Sequence, residues 1–306
     1  CQFGPGKAKE FVIKALKNND RYMREAALEC IETLEDASLT PELMRVLNSD
    51  TDRGLRRKAL ELTAKLNSPE ARHVLVMALE DGDLEIRREA AKILSKKCDA
   101  DILPALLSVL VDNLDGTLRD TILDSLGNFN DPKAHDALLN ALKDRREDVR
   151  REVASALAKT GRKEAVPVLM SLFKDDPSTR VRAASATALG SFSSPEVYDF
   201  LVESLNEKDL EVLGGVISGL GVAGNPASVP ILLKMLEDEK NKNIRNAIIG
   251  ALGLIGSPLA VEPLIAYAKN APKEARYELC WTLGHLGDSR ATDLLVESLG
   301  IKENSV

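Results

Sequence analysis

The chain has 306 residues, of which 41 are basic and 48 acidic, so its formal net charge is −7. This balance argues against a general nucleic-acid binder, which would carry a surplus or a stripe of basic side chains. Aromatic residues make up only 4% of the sequence, so the core must consist of Ala, Leu, Val and Ile, which favours helices that approach one another closely.

The sequence shows no sign of a membrane segment. No run approaches the roughly 18 apolar residues that span a bilayer, and no signal peptide is recognisable. The four cysteines are dispersed and form no CxxC pair, which fits a reducing compartment. We therefore expect a cytoplasmic protein without membrane insertion. We also expect it to be a monomer.

Residues 7–18 predict an amphipathic leading helix, with Val12, Ile13 and Leu16 in its core positions. The helix matches the second half of the repeat that follows, but its own first half is absent. Either further repeats precede it in a longer native chain, or it caps the stack.

An internal repeat with a period of 31 or 32 residues dominates the rest of the sequence. Each copy has an arginine that opens an alanine-rich helix, as in DVRREVASALAKTG at 148–161, and the copies begin near residues 20, 52, 83, 115, 146, 178, 209, 241 and 272. Eight copies keep the arginine, and the seventh has Leu213 in its place. The eight form a ladder: Arg24, Arg56, Arg87, Arg119, Arg150, Arg182, Arg245 and Arg276.

Each repeat predicts two amphipathic helices joined by a tight turn. In the first helix, apolar residues lie three and four apart, as at Val149, Val153 and Leu157. Turns such as NSP at 67–69 place a proline in the first turn of the next helix, where its missing N–H costs nothing. Neither helix can bury its apolar face alone, so we predict an all-α fold: one α-solenoid, or superhelix, over 1–306, with nine hairpins and the leading helix.

The pattern D-x-x-V-R-x-x-A-A-x-A-L-G-x-x-x-x-P-x-A-V-P-x-L resembles the HEAT-like repeat of the phycobilisome-lyase type. It is most complete from Val181 to Gly190 and from Leu252 to Val261. The resemblance covers essentially the whole chain and implies a right-handed solenoid. It is far less specific for function, because proteins of this kind include bilin lyases, chaperone-like factors, an iron hydroxylase, DNA glycosylases and binding scaffolds.

The resemblance implies a structural role for the ladder arginines. They would pair with Asp side chains or carbonyl groups in the turns of adjacent hairpins and so fix the stacking register. The alternative, a row of arginines that grips phosphates, is disfavoured by the net negative charge.

No pattern of catalytic or cofactor-binding residues is evident. The three histidines, His73, His135 and His285, are widely separated and none is followed by Glu, so we interpret them as surface or turn residues rather than metal ligands. GLGVAG at 219–224 matches GxGxxG, but no strand precedes it. Trp281 is predicted to lie in the core. We therefore predict a protein that is not an enzyme and has no catalytic, cofactor-binding or metal site.

The first helix of the seventh repeat is crowded with glycine, at Gly214, Gly215, Gly219, Gly221 and Gly224. Each interior glycine costs up to about 1 kcal/mol of helix propensity relative to alanine. We therefore expect a local weak point at residues 209–224. The alternative is that the glycines simply allow neighbouring helices to approach closely.

A partner is expected on the concave face, which second helices usually line in solenoids of this kind. Two positions of each second helix share one stripe of that face, and its C-terminal half is mainly acidic. The stripe residues that we single out for protein binding are Arg45, His73, Met77, Asp136, Asp199, Glu203, Lys234, Glu262, Asp293 and Glu297. Such a groove would attract a basic segment, although a merely solvated acidic face is equally compatible with the pattern.

The sequence thus favours a protein-binding scaffold that presents a groove to a protein or peptide with a basic segment, and not to nucleic acid. A second hypothesis is a lyase or chaperone-like factor that handles a cofactor-bearing client protein. A third, a HEAT-like nucleic-acid-processing enzyme, would require a basic or aromatic-lined groove, whereas a deep apolar pocket with convergent polar groups would favour the second.

Overall fold

The structure is a computed structural model that describes residues 5–66, 68–97, 100–111, 116–129 and 131–298. In these ranges it contains nineteen α-helices and eight short 3₁₀ helices and no strand, so the predicted all-α solenoid class is confirmed. No described helix combines the length and the apolar character that a membrane crossing requires.

The first helices of the nine repeats are the even-numbered ones. They begin close to the predicted repeat starts: eight of them begin three residues before the ladder position of their repeat, and α16 begins at Arg245 itself. Their bounds are α2 Arg21–Leu34, α4 Arg53–Leu66, α6 Leu84–Lys97, α8 Gly116–Leu126, α10 Glu147–Lys159, α12 Thr179–Leu189, α14 Leu210–Ala223, α16 Arg245–Ile255 and α18 Lys273–Leu286.

The leading helix and the second helices are the odd-numbered ones. The leading helix spans Pro5–Ala15, close to the predicted 7–18. The bounds are α1 Pro5–Ala15, α3 Thr40–Ser49, α5 Pro69–Met77, α7 Leu103–Val111, α9 Pro132–Ala141, α11 Ala165–Asp175, α13 Pro195–Glu203, α15 Val229–Glu237, α17 Val261–Ala268 and α19 Thr292–Ser298.

The turn between the two helices of a repeat is set by local chemistry. Ser68 caps α5 by accepting a hydrogen bond from the backbone amide of Ala71, and Pro69 follows at the first helical position. Ser194 caps α13 in the same way, through the amide of Val197. A side-chain oxygen before the helix satisfies an otherwise unpaired N–H, while proline loses nothing there.

The helices belong to two compact units, Cys1–Ala137 (unit 1) and Leu138–Val306 (unit 2). In each unit the first helices of successive repeats pack side by side, and most second helices pack on a first helix of their own or of the neighbouring repeat. The predicted apolar face of α10 is fully buried, with Val149, Val153 and Leu157 among its core residues. Burial of such faces drives the stacking of one hairpin on the next.

Glycine brings α12, α14 and α16 of unit 2 into backbone contact. A Cβ atom at Gly215 would lie 2.5 Å from Cα of Ala183, and one at Gly219 would overlap the carbonyl oxygen of Ala186. Because these neighbours are backbone atoms, a larger side chain could not be accommodated without separating the helices. This geometry favours close approach, the alternative explanation of the glycine-rich helix.

Candidate functional site

Arg24 shows the full set of contacts made by a ladder arginine. Its guanidinium donates to both carboxylate oxygens of Asp50, at 2.7 and 3.1 Å. It also donates to the backbone carbonyls of Asn18 and Asn19, each at 3.0 Å. One planar guanidinium thus joins the loop before its own helix to the loop before the next repeat.

Arg150 repeats this arrangement in unit 2. It donates to Asp176 at 2.7 and 3.0 Å and to the carbonyls of Asp144 and Arg145. The hydrogen bond to Asp176 raises the pKa of Arg150, against the opposing effect of burial. Burial raises the pKa of Asp176, but hydrogen bonds from Arg150 and from the amide of Ser178, with the charge of Arg150, bring it below its ordinary value.

Two further ladder arginines also bond a carboxylate in the loop before the next repeat, but they donate to a different backbone carbonyl. Arg56 donates to Asp81 and to the carbonyl of Leu47. Arg182 donates to Glu207 and, at 3.0 Å, to the carbonyl of Phe173. The carboxylate acceptor therefore lies 25 or 26 residues after the arginine in all four cases.

The remaining ladder positions differ from this pattern. Arg87 donates to the carbonyl of Asp81 at 2.6 Å, and the loop that would hold its later acceptor lies outside the described residues. Arg119 is buried, with Asp120 at 3.5 Å, and Arg245 is half-buried. Arg276 is exposed. The stabilising role of the ladder remains a prediction.

The sequence analysis does not predict the individual carboxylates that accept hydrogen bonds from the ladder arginines, although the sequence contains a signal for them. Asp50, Asp81 and Asp176 recur at the repeat period, and each also accepts the backbone amide of the residue two positions later. Short carboxylates favour this local turn, which explains their place in the loop before a first helix.

The stripe residues of unit 1 lie on separate second helices. Arg45, on α3, is half-buried and donates to Glu42 at 3.0 Å, so its charge is largely satisfied locally. His73 and Met77 are exposed on α5, and Asp136 is exposed on α9. Their alignment into one binding surface with the stripe residues of unit 2 remains a prediction.

The stripe residues of unit 2 are mainly exposed carboxylates. Asp199 and Glu203 lie one turn apart on α13, and Lys234 lies on α15. Glu262 and Asp293 are exposed on α17 and α19. The side chain of Glu297 lies outside the described residues.

Arg290 changes the charge of this stripe in a way that the sequence did not indicate. It lies in the turn before α19 and contacts Glu262 at 3.2 Å. It also donates to both oxygens of Asp288, and these bonds, with the amide of Arg290, lower the pKa of Asp288 to about 2. Position 290 is not a stripe position in the repeat register, so the stripe pattern of the sequence does not include this cation. The acidic character is strongest on α13.

An apolar depression of about 510 Å³ lies on the second-helix side of unit 2. Ser171 and Asp175 supply its polar edge and hydrogen bond to each other at 3.2 Å. Its other lining residues are Leu142, Pro167, Val168, Leu172, Asp176 and Pro177. The feature joins apolar surface to a small number of polar groups, but it is an open surface depression and not the deep pocket that usually encloses a small ligand.

A polar depression of about 680 Å³ lies among the loops of unit 1. Its cations are already paired, Arg53 with Asp83 at 2.6 Å and Arg56 with Asp81. The carboxylates neutralise these two cations, so this depression gives no support to phosphate binding.

Two side chains lie differently from the sequence-based interpretation. Trp281, which was expected in the core, is 48% exposed on α18 and stacks on His285, with ring centroids 5.3 Å apart. His135, which was expected at the surface or in a turn, is buried on α9. Within the described residues, no cluster of three or more His, Cys, Asp or Glu is arranged to hold a metal ion.

The repeated hairpins, their shared ladder and their period define a HEAT-repeat solenoid. A family profile described as HEAT repeats matches overlapping segments that together run from residue 9 to residue 306. The chain therefore belongs to the HEAT repeat family.

Two known proteins align with more than half of this chain. Phycocyanobilin lyase subunit alpha of Nostoc sp. strain PCC 7120 is 26% identical over 230 residues, which cover 72% of this chain and 76% of the relative. Bilin biosynthesis protein PecE of the same organism is 26% identical over 203 residues, which cover 64% and 80%. Among solved structures, Kap121p has a TM-score of 0.58 at 14% identity, covering 97% of this chain and 40% of that chain, and shows the fold alone.

These relatives correct one expectation. The prediction that the chain is not an enzyme is wrong by this comparison, because the proteins with which it aligns are named as a lyase subunit and a bilin biosynthesis protein. The prediction relied on the absence of familiar catalytic motifs, and that absence does not exclude a lyase.

Proposed function

We propose that this chain is a lyase-type factor that handles an open-chain tetrapyrrole or a client protein that carries one. The observation that carries the proposal is the alignment with two bilin-related proteins over 72% and 64% of the chain. The general HEAT scaffold is retained in this reading, because a client protein needs a surface on which to dock.

The apolar depression on unit 2 offers a place for such a substrate. Its volume of about 510 Å³ falls in the usual range of small-molecule sites. Val168 and Leu172 are half-buried on α11 and supply apolar contact, while Ser171 and Asp175 offer hydrogen-bonding groups at the edge. An elongated conjugated molecule could lie across this surface with its polar groups turned to solvent.

The acidic residues of α13 fit the client better than the tetrapyrrole itself. Asp199 and Glu203 are exposed and one turn apart, so they reinforce a negative potential. A bilin carries propionate groups, which such a potential repels; at the depression these groups would turn to solvent, away from Asp175, whereas a basic segment of a protein client is attracted to α13. We therefore assign the apolar depression to the tetrapyrrole and α13 to the client.

Titration of the full chain with phycocyanobilin tests the proposal directly. We expect a saturable change in the visible absorption of the bilin, because transfer from water to an apolar surface alters its environment. In the presence of apo-phycocyanin, the chain should also raise the yield of protein with covalently attached bilin, measured on denaturing gels.

A variant that fills the depression tests whether the bilin binds there, and the same change elsewhere is the control. Ser171→Trp places a bulky ring over the apolar surface and should weaken bilin binding by roughly tenfold, or about 1.4 kcal/mol. Ser108→Trp makes the same change at the exposed, repeat-equivalent position on α7 and should leave binding unchanged. An unchanged bilin spectrum together with an unchanged adduct yield would overturn the proposal.

A further inference from the structure

Two phenylalanine rings meet between the second helices α11 and α13 of unit 2. The rings of Phe173 on α11 and Phe200 on α13 have centroids 5.3 Å apart and planes inclined at 78°, which is an edge-to-face contact. Phe173 is buried, whereas Phe200 is half-buried. Part of the Phe200 ring therefore reaches the surface that carries the acidic residues of α13.

Lys174 lies over the ring of Phe200. Its ammonium nitrogen is 5.4 Å from the ring centroid, within the distance at which the negative face of an aromatic ring attracts a cation. The side chain of Lys174 is exposed, and its ammonium group forms no ion pair with any carboxylate of the described residues. The ring, and not a carboxylate, is therefore its polar partner in this structure.

Two unpaired carboxylates flank this ring. Asp199 precedes Phe200, and Glu203 follows it by three residues on α13, so that Glu203 and the ring are neighbours on the helix surface. Both carboxylates are exposed, and neither forms an ion pair within the part of the chain that the structure describes. The surface thus offers a cation both the face of a ring and an uncompensated negative charge.

Arg182 shows how this protein receives an arginine at such a pair of groups. The central carbon of its guanidinium lies 5.9 Å from the centroid of the Phe173 ring, and the same guanidinium donates a hydrogen bond to Glu207. A planar guanidinium can stack on a ring while it directs N–H groups at a carboxylate. An ammonium group is a compact point charge and lacks this combined geometry.

We propose that Phe200, with Asp199 and Glu203, recognises an arginine side chain of the protein client, and that Lys174 occupies the ring when no client is bound. Lys174 is then a competitor built into the chain, which a client must displace. The inference rests on the assignment of α13 to the client in the proposed function. It adds which side chain of the client is recognised and what holds the site in its absence.

Arginine fits the site better than other groups. A client lysine would only exchange one ammonium group for another over the ring of Phe200, so it gains little from displacing Lys174. A client arginine adds bidentate hydrogen bonds to Asp199 or Glu203. A phosphate or a carboxylate of the client would be repelled by both side chains.

Two labelled peptides test the preference for arginine. One consists of Ala-Ala-Ala-Arg repeated three times and the other of Ala-Ala-Ala-Lys repeated three times, so their charges are equal and are spaced like Asp199 and Glu203. Titrated with the full chain and followed by fluorescence anisotropy, the arginine peptide should bind roughly twofold to fivefold more tightly. Equal dissociation constants would overturn the choice of arginine.

The ring itself is tested by Phe200→Leu, which keeps an apolar side chain but removes the aromatic face. This variant should bind both peptides equally, while Phe200→Tyr should keep the preference for arginine. Thermal melts verify that both variants are folded. A preference that survives in folded Phe200→Leu would exclude the ring as the recognition group.

Variants of Lys174 test the displacement and do not alter the ring. Lys174→Arg keeps the charge but should hold the ring more strongly, so the arginine peptide should bind roughly twofold to fivefold more weakly. Lys174→Gln frees the ring and should tighten binding more than Lys163→Gln, which removes the same charge at an exposed position before α11. Unchanged binding by Lys174→Arg, or equal gains from the two glutamine variants, would show that Lys174 does not compete.

Charge reversal at Asp199 and Glu203 separates this inference from the proposed function. If Asp199→Lys with Glu203→Lys weakens the binding of both peptides and the Lys174 variants change nothing, the client assignment stands and the competitor is refuted. If the charge reversal leaves both peptides bound as before, α13 is not the client surface and both proposals for α13 fail. The expected result is weaker binding after charge reversal together with opposite effects of Lys174→Arg and Lys174→Gln.

Discussion

Unit 2 contains two different kinds of contact between neighbouring repeats. At α10, Arg150 and the buried carboxylate of Asp176 bridge neighbouring loops with hydrogen bonds of 2.7 and 3.0 Å. At α14, Leu213 replaces the arginine, and Gly215 and Gly219 bring the backbone against α12. The contact at α10 is made by one long side chain near the end of the helix. The contact at α14 is possible because the glycines along that helix have no side chain.

The difference leads us to predict that the stacking register is set by polar pairing at α10 and by shape at α14. A bridging arginine tolerates small shifts of the helices, because its side chain can follow the acceptor. Backbone contact at glycine tolerates none, because neither surface can yield. We therefore predict that α14, which has Leu213 in place of the arginine, is held in position mainly by packing, and that the two kinds of contact fail differently under mutation.

The largest effect is expected from Gly219→Val. Its side chain would overlap the backbone of Ala186, so we expect a loss of about 3 kcal/mol or more in the free energy of unfolding, measured by denaturant titration. Gly214→Ala, on the open side of the same helix, should instead stabilise by up to about 1 kcal/mol through helix propensity. Similar losses in both variants would show that propensity, not shape, dominates this helix.

A smaller loss is expected when the polar bridge is removed. Arg150→Ala leaves Asp176 and two loop carbonyls without their donor and should cost about 1–3 kcal/mol, with a comparable loss for Arg119→Ala. Arg276→Ala, at an exposed ladder position, should change stability by less than about 0.5 kcal/mol. Thermal melts of Arg150→Ala that overlay the parent would remove the ladder as a source of stability.

Acid should weaken the bridge but not the glycine contact. The pKa of Asp176 is below its ordinary value in the folded chain, so its stabilisation is fully present above the unfolded pKa of about 3.9 and disappears as pH falls through the folded pKa. The stability difference between the parent and Asp176→Asn should therefore shrink when pH is lowered from 7 towards 3. A difference independent of pH would contradict the ionic character of the bridge.

Hydrogen exchange compares the two mechanisms without mutation. Glycine content alone predicts faster exchange at residues 209–224 than at 147–160. The backbone contacts of Gly215 and Gly219 instead lead us to expect equal or stronger protection of α14. Faster exchange at 209–224 would restore the weak-point interpretation.

The smallest effect concerns binding to the acidic surface of α13. Asp199→Lys with Glu203→Lys should slow association of a Lys/Arg-rich helical peptide by roughly threefold to tenfold and reduce its salt dependence. Glu61→Lys with Glu89→Lys makes the same charge change on first helices and should have a weaker effect. An association rate that is flat in salt would return Asp199 and Glu203 to the role of a solvated face.

The sequence predicted the hairpins well because their information is local. Period, apolar spacing and the Ser-Pro turns at 68–69 and 194–195 each depend on residues a few positions apart. The ladder arginines were visible for the same reason, as a repeated residue at a fixed register. Leu213 showed where the pattern breaks, but not that glycine packing takes over there.

The candidate site was less predictable, because it depends on which surfaces remain uncovered. Trp281 has the spacing of a core residue, and only the neighbours of α18 reveal that it is exposed. Arg290 lies in a turn outside the helical register, and the depression beside Val168 combines a loop with a helix. Such features arise from contacts distant in sequence, which periodicity does not report.

The reach of each ladder arginine also limits how such a chain can grow. Arg24 and Arg150 each bond a carboxylate 26 residues later, within one period of 31 or 32 residues. A tandem duplication of one whole period supplies a new donor together with a new acceptor and leaves every older pair with an equivalent partner. Duplication of half a period would leave donors and acceptors without their partners. A gene that encodes this ladder can therefore be lengthened or shortened without loss only in whole repeats.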